Sequence, residues 1–382
     1  MTDFDKYVER RDTGSVKWDR YRGTDIIPMW VADMDFPSPP SILEALRERV
    51  AHGVFGYGNA PQDLLNTVIA YTESEYGWAI RPDWVVWLPG LVTGLNIACR
   101  AVGSADDEVL TMTPVYPPFL SAPELSHRRL LAVPLMGPDR GRYEIDWEGL
   151  ERAVTPRTRL MLLCNPHNPV GRVYGRFELQ RLEEFCLRHN LIVCADEIHA
   201  GLVLEEGMRH IPFASLSPEG SSRSITLFAP SKTFNIPGLG FSFAVIPDST
   251  LRTRFRAEMK GIVPDINILG YVAGLAAYRE GASWRKDLID YLRGNREILR
   301  QGFSGIAGLR MAHIEGTYLA WIDARDLGVT HPQRFFEAGL VGLSDGADFG
   351  AEGFVRLNFG CRRALLKEAI ARMAKAVAER KV

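Results

Sequence analysis

Ile225-Thr226-Leu227-Phe228-Ala229-Pro230-Ser231-Lys232-Thr233-Phe234-Asn235 sets a lysine just beyond a short apolar run. Two more apolar runs close in the same way. Leu160-Met161-Leu162-Leu163-Cys164 leads into Asn165-Pro166-His167-Asn168-Pro169, and Leu191-Ile192-Val193-Cys194-Ala195 leads into Asp196-Glu197-Ile198-His199. Short apolar runs bounded by turn residues read as buried parallel strands. In open α/β sheets, ligands bind outside the carboxyl ends of such strands. The three runs therefore bring an amide, a carboxylate and a lysine amine to one sheet edge. That set suits an aldehyde cofactor with a basic ring nitrogen, held as a Schiff base by the lysine.

Outward from these runs, strand-like and helical segments alternate from about Trp84 to Val245. Val85-Val86-Trp87-Leu88, Glu108 to Met112, Arg129 to Val133 and Phe241 to Val245 extend the series. The alternation predicts an α/β fold, a mostly parallel sheet of the seven-stranded type between helices. Upstream, Ser38-Pro39-Pro40 predicts a helix start with Ser38 as its cap. Ile42, Leu43, Leu46 and Val50 give that helix its apolar face, and Gln62 to Tyr76 reads as the next helix. From about Asn267 the pattern turns to long helices, with Phe303 to Ala312, Tyr318 to Ile322 and Phe354 to Asn358 as strands of a smaller α+β domain. The expected division is an amino-terminal arm (1–45) joining the small domain, a large domain (46–275) and the small domain itself (276–382).

Bulk properties narrow the function class. The 382 residues are 46% hydrophobic and 24% charged, ordinary for a globular protein of one or two domains. A formal net charge of −2 with dispersed Lys and Arg gives no nucleic-acid or membrane-surface signal. The five cysteines lack CxxC or zinc-type spacing, so no metal site is expected and buried free thiols are. No apolar run approaches a bilayer span, and Met1 to Lys6 is mixed in charge, which makes a cytoplasmic enzyme the expectation.

Each chemical candidate carries a plainer alternative. Lys232 reads as a surface loop lysine when taken alone, but the neighbouring strand ends favour a functional amine. A P-loop is excluded, because Thr226 and Ser231 stand where that motif needs glycine. Asp196 is either a helix cap or the partner of a protonated ring nitrogen. His199 follows one turn later. Asn168 lies among turn residues, and its amide could also donate to a ring oxygen. Pro89-Gly90-Leu91-Val92-Thr93-Gly94 follows a strand and opens a helix, a geometry that cradles phosphate. Tyr116 is either core or a ring lying flat on a planar cofactor. Arg356 inside Phe354-Val355-Arg356-Leu357-Asn358 either faces water on an edge strand or clamps a substrate carboxylate.

Taken together these residues resemble the fold-type I pyridoxal 5'-phosphate (PLP) enzymes, the aminotransferase class I/II superfamily, from about Ile26 to the end. Pro28-Met29-Trp30-Val31-Ala32-Asp33-Met34-Asp35-Phe36, Asp196-Glu197-Ile198-His199 and Ser231-Lys232-Thr233-Phe234-Asn235 are similar to the bacterial cystathionine β-lyase-like C–S lyases. The resemblance implies that Lys232 is the Schiff-base lysine and proton-transfer base. It further implies that Asp196 pairs with the pyridine nitrogen, that Asn168 and His199 lie by the ring hydroxyl and that Tyr116 stacks on the ring. Gly90, Leu91, Val92 and Ser231 are then assigned to the phosphate. Arg356, with Trp30, Ala32 and Asn168, is assigned to the substrate. Tyr57 is expected to reach the phosphate or leaving group of a neighbouring subunit in a homodimer with shared sites. His199 replaces the tyrosine of many aminotransferases, while Ala229 and Gly240 replace their serine and arginine on the phosphate, implying a lighter clamp. The implied reaction is β-elimination from L-cystathionine or another cysteine S-conjugate to a thiol such as homocysteine, pyruvate and ammonia. Transamination is the alternative within the same chemistry. A docking protein for a transcription regulator is the alternative outside it.

Overall fold

In the computed structural model, which describes residues 2–137 and 141–380, the apolar runs form a seven-stranded sheet. A short strand, β1 (Ile27–Pro28), comes before it in the chain. The sheet contains β2 (Val85–Leu88), β3 (Glu108–Thr113), β4 (Arg129–Pro134), β5 (Thr158–Cys164), β6 (Ile192–Asp196), β7 (Ser224–Phe228) and β8 (Ser242–Val245). Their spatial order is β2-β8-β7-β6-β5-β3-β4. Pairing is parallel except at β8, which runs antiparallel to both of its neighbours. Two reversals restore direction, so β2 points the same way as β7. The carboxyl ends of β2, β3, β5, β6 and β7 thus share one edge.

Side-chain alternation explains why the inner strands are apolar throughout. Leu160, Leu162, Cys194, Ile225 and Leu227 face the helix Leu91–Ala101, while Met161, Leu163, Val193 and Leu110 face the helix Arg176–Arg188. Gly94 lets the first helix sit close: a Cβ there would come within 3.0 Å of both Leu227 methyls. Strand β4 is the edge, and its exposed residues include Arg129, Ala132 and Pro134.

The smaller layer comprises β9 (Arg310–Met311), β10 (Leu319–Asp323), β11 (Val341–Gly342), β12 (Ser344–Asp345) and β13 (Phe354–Asn358). Four of these form an antiparallel sheet in the order β12-β13-β10-β9, and β11 pairs in parallel with β1. Its core mixes both ends of the chain: Phe4, Ile27, Met29, Phe36 and Ile42 pack with Leu292, Leu319, Val355 and Leu366. Phe303 to Ala312 does not form the single strand expected. Phe303 instead closes the helix Ala282–Ser304, continuing the buried stripe Leu288-Leu292-Leu299, and only Arg310–Met311 is extended. Ser38 is not the cap of the next helix either. Pro39 holds that position and the Ser38 hydroxyl donates to the Asn235 carbonyl. The helix Gln62–Tyr76 forms as read.

Between the two layers runs a strap, residues 29–36, fastened along its length. The Asn358 amide donates to the carbonyls of Val31 and Asp33, both at 2.6 Å. The Asn235 amide donates to the carbonyls of Met34 (2.9 Å) and Phe36 (2.7 Å) and accepts from the Met34 N–H (2.9 Å). Lys17, fully buried, pairs with Asp35 at 2.8 Å, and Arg10 pairs with Asp33 at 2.9 Å. A lysine buried as an ammonium is costly unless paired in this way. All five cysteines are buried and free. Among the described residues no helix is long and apolar enough to cross a membrane.

Candidate active site

At the shared strand edge lies a cavity of about 280 Å³. Lys232, Asp196, Asn168, His199, Tyr116, Ser231, Arg356, Ala32, Gly90, Leu91 and Val92 all line it. Most are delivered by neighbouring strands, while Ala32 comes from the strap. Asn168 follows β5, Asp196 ends β6 and Lys232 follows β7, while Cys164 and Asp196 are register partners across β5 and β6. Tyr116 follows β3. Arg356 sits in β13, flanked by β10 and β12, and is only 4% exposed, which excludes the water-facing edge-strand reading.

Two cations and one anion dominate the electrostatics. Burial, reinforced by the Arg356 charge, lowers the Lys232 amine to about 8. Its Nζ donates to the Ala32 carbonyl at 2.6 Å. Burial raises the Asp196 carboxyl to about 7, although its Oδ1 accepts the Ile198 N–H at 3.0 Å. Burial and then the Lys232 and Arg356 charges push His199 down to about 3, so its imidazole is neutral. Arg356 donates to Asn168 Oδ1 (3.0 Å), the Trp30 carbonyl (2.9 Å) and Ser344 Oγ (3.3 Å), with its guanidinium 4.6 Å from the Phe349 ring centre.

Trp30 and Tyr57 do not line this cavity, although the place expected of Tyr57 is a neighbouring subunit's site. The Trp30 indole Nε1 donates to the Lys17 carbonyl and its ring lies 4.6 Å from the Arg20 guanidinium. Trp30 serves the site through its backbone carbonyl, which holds Arg356. Tyr57 is fully exposed and also lies outside the cavity. Conversely, Thr93, Phe241 and Cys164 line the cavity without having been singled out. A threonine in the first turn of a helix that opens at Gly90 was a usable signal for the first. The other two are apolar residues, Cys164 at the end of β5 and Phe241 just before β8, with no local mark of function.

The residues present fit an aromatic phosphate cofactor. His199 Nδ1 and Arg356 Nε are buried without a hydrogen-bond partner. The first N–H groups of the helix Leu91–Ala101 point from its free end, as helix geometry requires. Asp196 supplies a buried carboxylate, and Lys232 an amine that pairs with no carboxylate among the described residues. Gly240, at φ +60°, puts no side chain into the phosphate end, and Ala229 adds only a methyl.

This fold and this site define a pyridoxal-phosphate-dependent enzyme of fold type I. The aminotransferase class I and II family matches residues 24–373, and the chain belongs to that family. It is similar to cystathionine beta-lyase PatB of Bacillus subtilis (strain 168), with 40% identity over 98% of this chain and 99% of that protein. Among solved structures it is similar to OvoB, at 49% identity and a TM-score of 0.97 over 100% of both chains. It is also similar to the PLP-containing cystalysin of Treponema denticola, at 32% identity and a TM-score of 0.95 over 100% of both chains.

Proposed function

We propose that the protein is a carbon–sulfur β-lyase that cleaves L-cystathionine or related cysteine S-conjugates to a thiol, pyruvate and ammonia. The observation that carries this reading is the Lys232 amine, which shares one cavity with the buried Asp196 carboxyl and the buried Arg356 guanidinium and is lowered to about 8 by burial and the Arg356 charge. Only a neutral amine can take a proton from carbon. Similarity to PatB supports elimination as the outcome.

PLP, when bound, supplies an electron sink for the pair left at the substrate Cα. Lys232 Nζ removes the Cα proton, the Cβ–S bond breaks with its electron pair leaving on sulfur, which takes up a proton, and water hydrolyses the released 2-aminoacrylate to pyruvate and ammonia. Asp196 holds the pyridine nitrogen protonated. Asn168 accepts from Arg356 through its Oδ1, and its amide N–H groups, with His199, would hold the ring hydroxyl. Arg356 binds the substrate carboxylate beside Ala32. Gly90, Leu91 and Val92 offer backbone N–H groups to the phosphate, with the Ser231 hydroxyl, and Thr93 adds a second hydroxyl. Tyr116 covers the ring.

The same reading makes the protein a cytoplasmic homodimer. Support comes from an exposed apolar stretch, Val50, Val54, Phe55 and Tyr57, with Ile262 also exposed. Tyr57 in this reading completes the phosphate or leaving-group end of the partner's site. The division into an arm (1–45), a large domain (46–275) and a small domain (276–382) is supported by the pairing of β1 with β11. With L-cystathionine the thiol is homocysteine, a step toward methionine.

The test is pyruvate release from L-cystathionine by purified protein with added PLP and no 2-oxo acid. Equal amounts of pyruvate, ammonia and thiol are expected, and Lys232→Ala should abolish them. Amino-group transfer to an added 2-oxo acid, without pyruvate, would overturn elimination.

A further inference from the structure

The Ala32 carbonyl oxygen receives two donors. Lys232 Nζ lies 2.6 Å from it and the Tyr318 hydroxyl 3.0 Å. Tyr318 is 0% exposed and its ring meets His199 edge-on, with centroids 6.2 Å apart. A fully buried hydroxyl is retained where it has a specific acceptor, and phenylalanine would fill the same space without needing one. The backbone supports a purpose for it. Thr317, immediately before, holds φ +71°, a region that a β-branched residue rarely adopts. Surrounding contacts enforce that conformation. The Thr317 N–H donates to the Leu202 carbonyl at 2.9 Å, and the N–H groups of Glu315 and Gly316 donate to the Gly171 carbonyl at 2.8 and 3.0 Å. The strained turn aims Tyr318 at the strap.

We propose that Tyr318 is a positioning residue for Lys232, sharing the Ala32 oxygen so that this carbonyl holds the lysine amine in place without fixing it as an ammonium. The proposal rests on the reading of Lys232 as the cofactor-bonding lysine. A carbonyl with one donor concentrates its charge on that donor, and hydrogen bonds to the charged form raise an amine's pKa. By occupying one lone pair of the oxygen, the phenol weakens its pull on the ammonium. The other groups acting on Lys232 are Arg356 from β13, which lowers it, and Asp33 on the strap and Asp196 at the end of β6, which raise it. His199 faces the same amine as a neutral ring. Burial together with this balance leaves Lys232 at about 8. When the cofactor takes the amine, the Ala32 oxygen keeps Tyr318 and stays oriented for the lysine's return.

The experiment uses cofactor-free protein. PLP is added across a pH series and the rate at which the visible band of lysine-bound cofactor forms is followed. That rate tracks the neutral amine, with a wild-type midpoint expected near 8. Tyr318→Phe keeps the ring and removes the hydroxyl; its midpoint should rise by about half a pH unit or more, slowing loading below the midpoint by about threefold or more. Thr317→Gly keeps the hydroxyl and accepts the left-handed backbone without strain, so Tyr318 should stay aimed at the strap and the midpoint should stay at the wild-type value. A purely structural role predicts lower thermal stability with an unchanged midpoint. An unchanged or lowered midpoint in folded Tyr318→Phe would overturn the proposal. Failure of wild-type protein to form the band, or its formation by Lys232→Ala, would instead refute the reading of Lys232.

Discussion

Arg356→Lys offers the sharpest test of the substrate end. A guanidinium carries five N–H donors. The structure commits three of them, to Asn168 Oδ1, the Trp30 carbonyl and Ser344 Oγ, and Nε remains buried without a partner. Two donors are therefore left for a substrate carboxylate, Nε–H and one on Nη1. Lysine keeps the positive charge, but its compact ammonium cannot reach all the positions that arginine's spread of donors serves. One charge-assisted hydrogen bond is then lost, about 1.5–3 kcal/mol. At 1.4 kcal/mol per factor of ten, kcat/KM for the amino-acid substrate should fall about 10- to 150-fold. The assay compares an L-cysteine S-conjugate with the same conjugate lacking its α-carboxylate. The variant's penalty should appear with the first substrate and shrink to about threefold or less with the second. Equal losses on both would show that Arg356 merely ties the strap to Asn168, and the carboxylate assignment would fall.

Other expectations follow from the same geometry. Asp196→Asn should abolish most turnover yet stabilise the cofactor-free protein at pH 8. The folded-state value near 7 lies above the ordinary 3.8, so the carboxyl favours the fold while protonated. The penalty for ionising it grows from about pH 4 and is complete above about pH 7, with a ceiling of about 4 kcal/mol. Thermal midpoints of both proteins across that range should converge at the acid end; a constant gap would contradict the assignment. Asn235→Ala removes three hydrogen bonds to the strap and places alanine at φ +56°, so unfolding free energy should fall by about 2–4 kcal/mol, read by urea titration. Tyr57→Leu should leave sedimentation unchanged and weaken PLP retention. Mixing it with Lys232→Ala should restore about a quarter of wild-type activity through hybrid dimers with one intact site. No recovery on mixing would mean that sites are not shared.

Much of this was legible in the chain because β5, β6 and β7 are buried on both faces. Burial makes each an unbroken apolar run, and the polar residue that ends such a run must sit at the sheet edge. Lys232, Asp196 and Asn168 could be placed from that alone. The helix Gln62–Tyr76 was equally plain from its period. What escaped reading is held by partners far off in sequence. Nothing near Trp30 says that its indole turns to Arg20 while its carbonyl serves Arg356, which lies 326 residues away. Tyr318 and Asn358 look like ordinary strand-end residues until the strap lies against them. Phe303 was read as strand because its neighbours Phe303-Ser304-Gly305-Ile306 lack a local period; only the four-residue step from Leu299 assigns it to the helix.

The strap has a consequence for the order in which this molecule can be built. Its fastenings within the site come from Asn235, Tyr318, Ser344, Arg356 and Asn358, all in the later part of the chain. A ribosome releases residues 29–36 early, when none of these anchors exists. The seven-stranded sheet can close once β8 has emerged, but the wall that carries Ala32 must wait for β13. Long-range closure of this kind is slow and leaves apolar residues such as Met29, Met34 and Phe36 uncovered in the meantime. Nascent chains stalled before and after Asn358 should therefore differ in one respect above all: only the longer ones can grip PLP in a finished site.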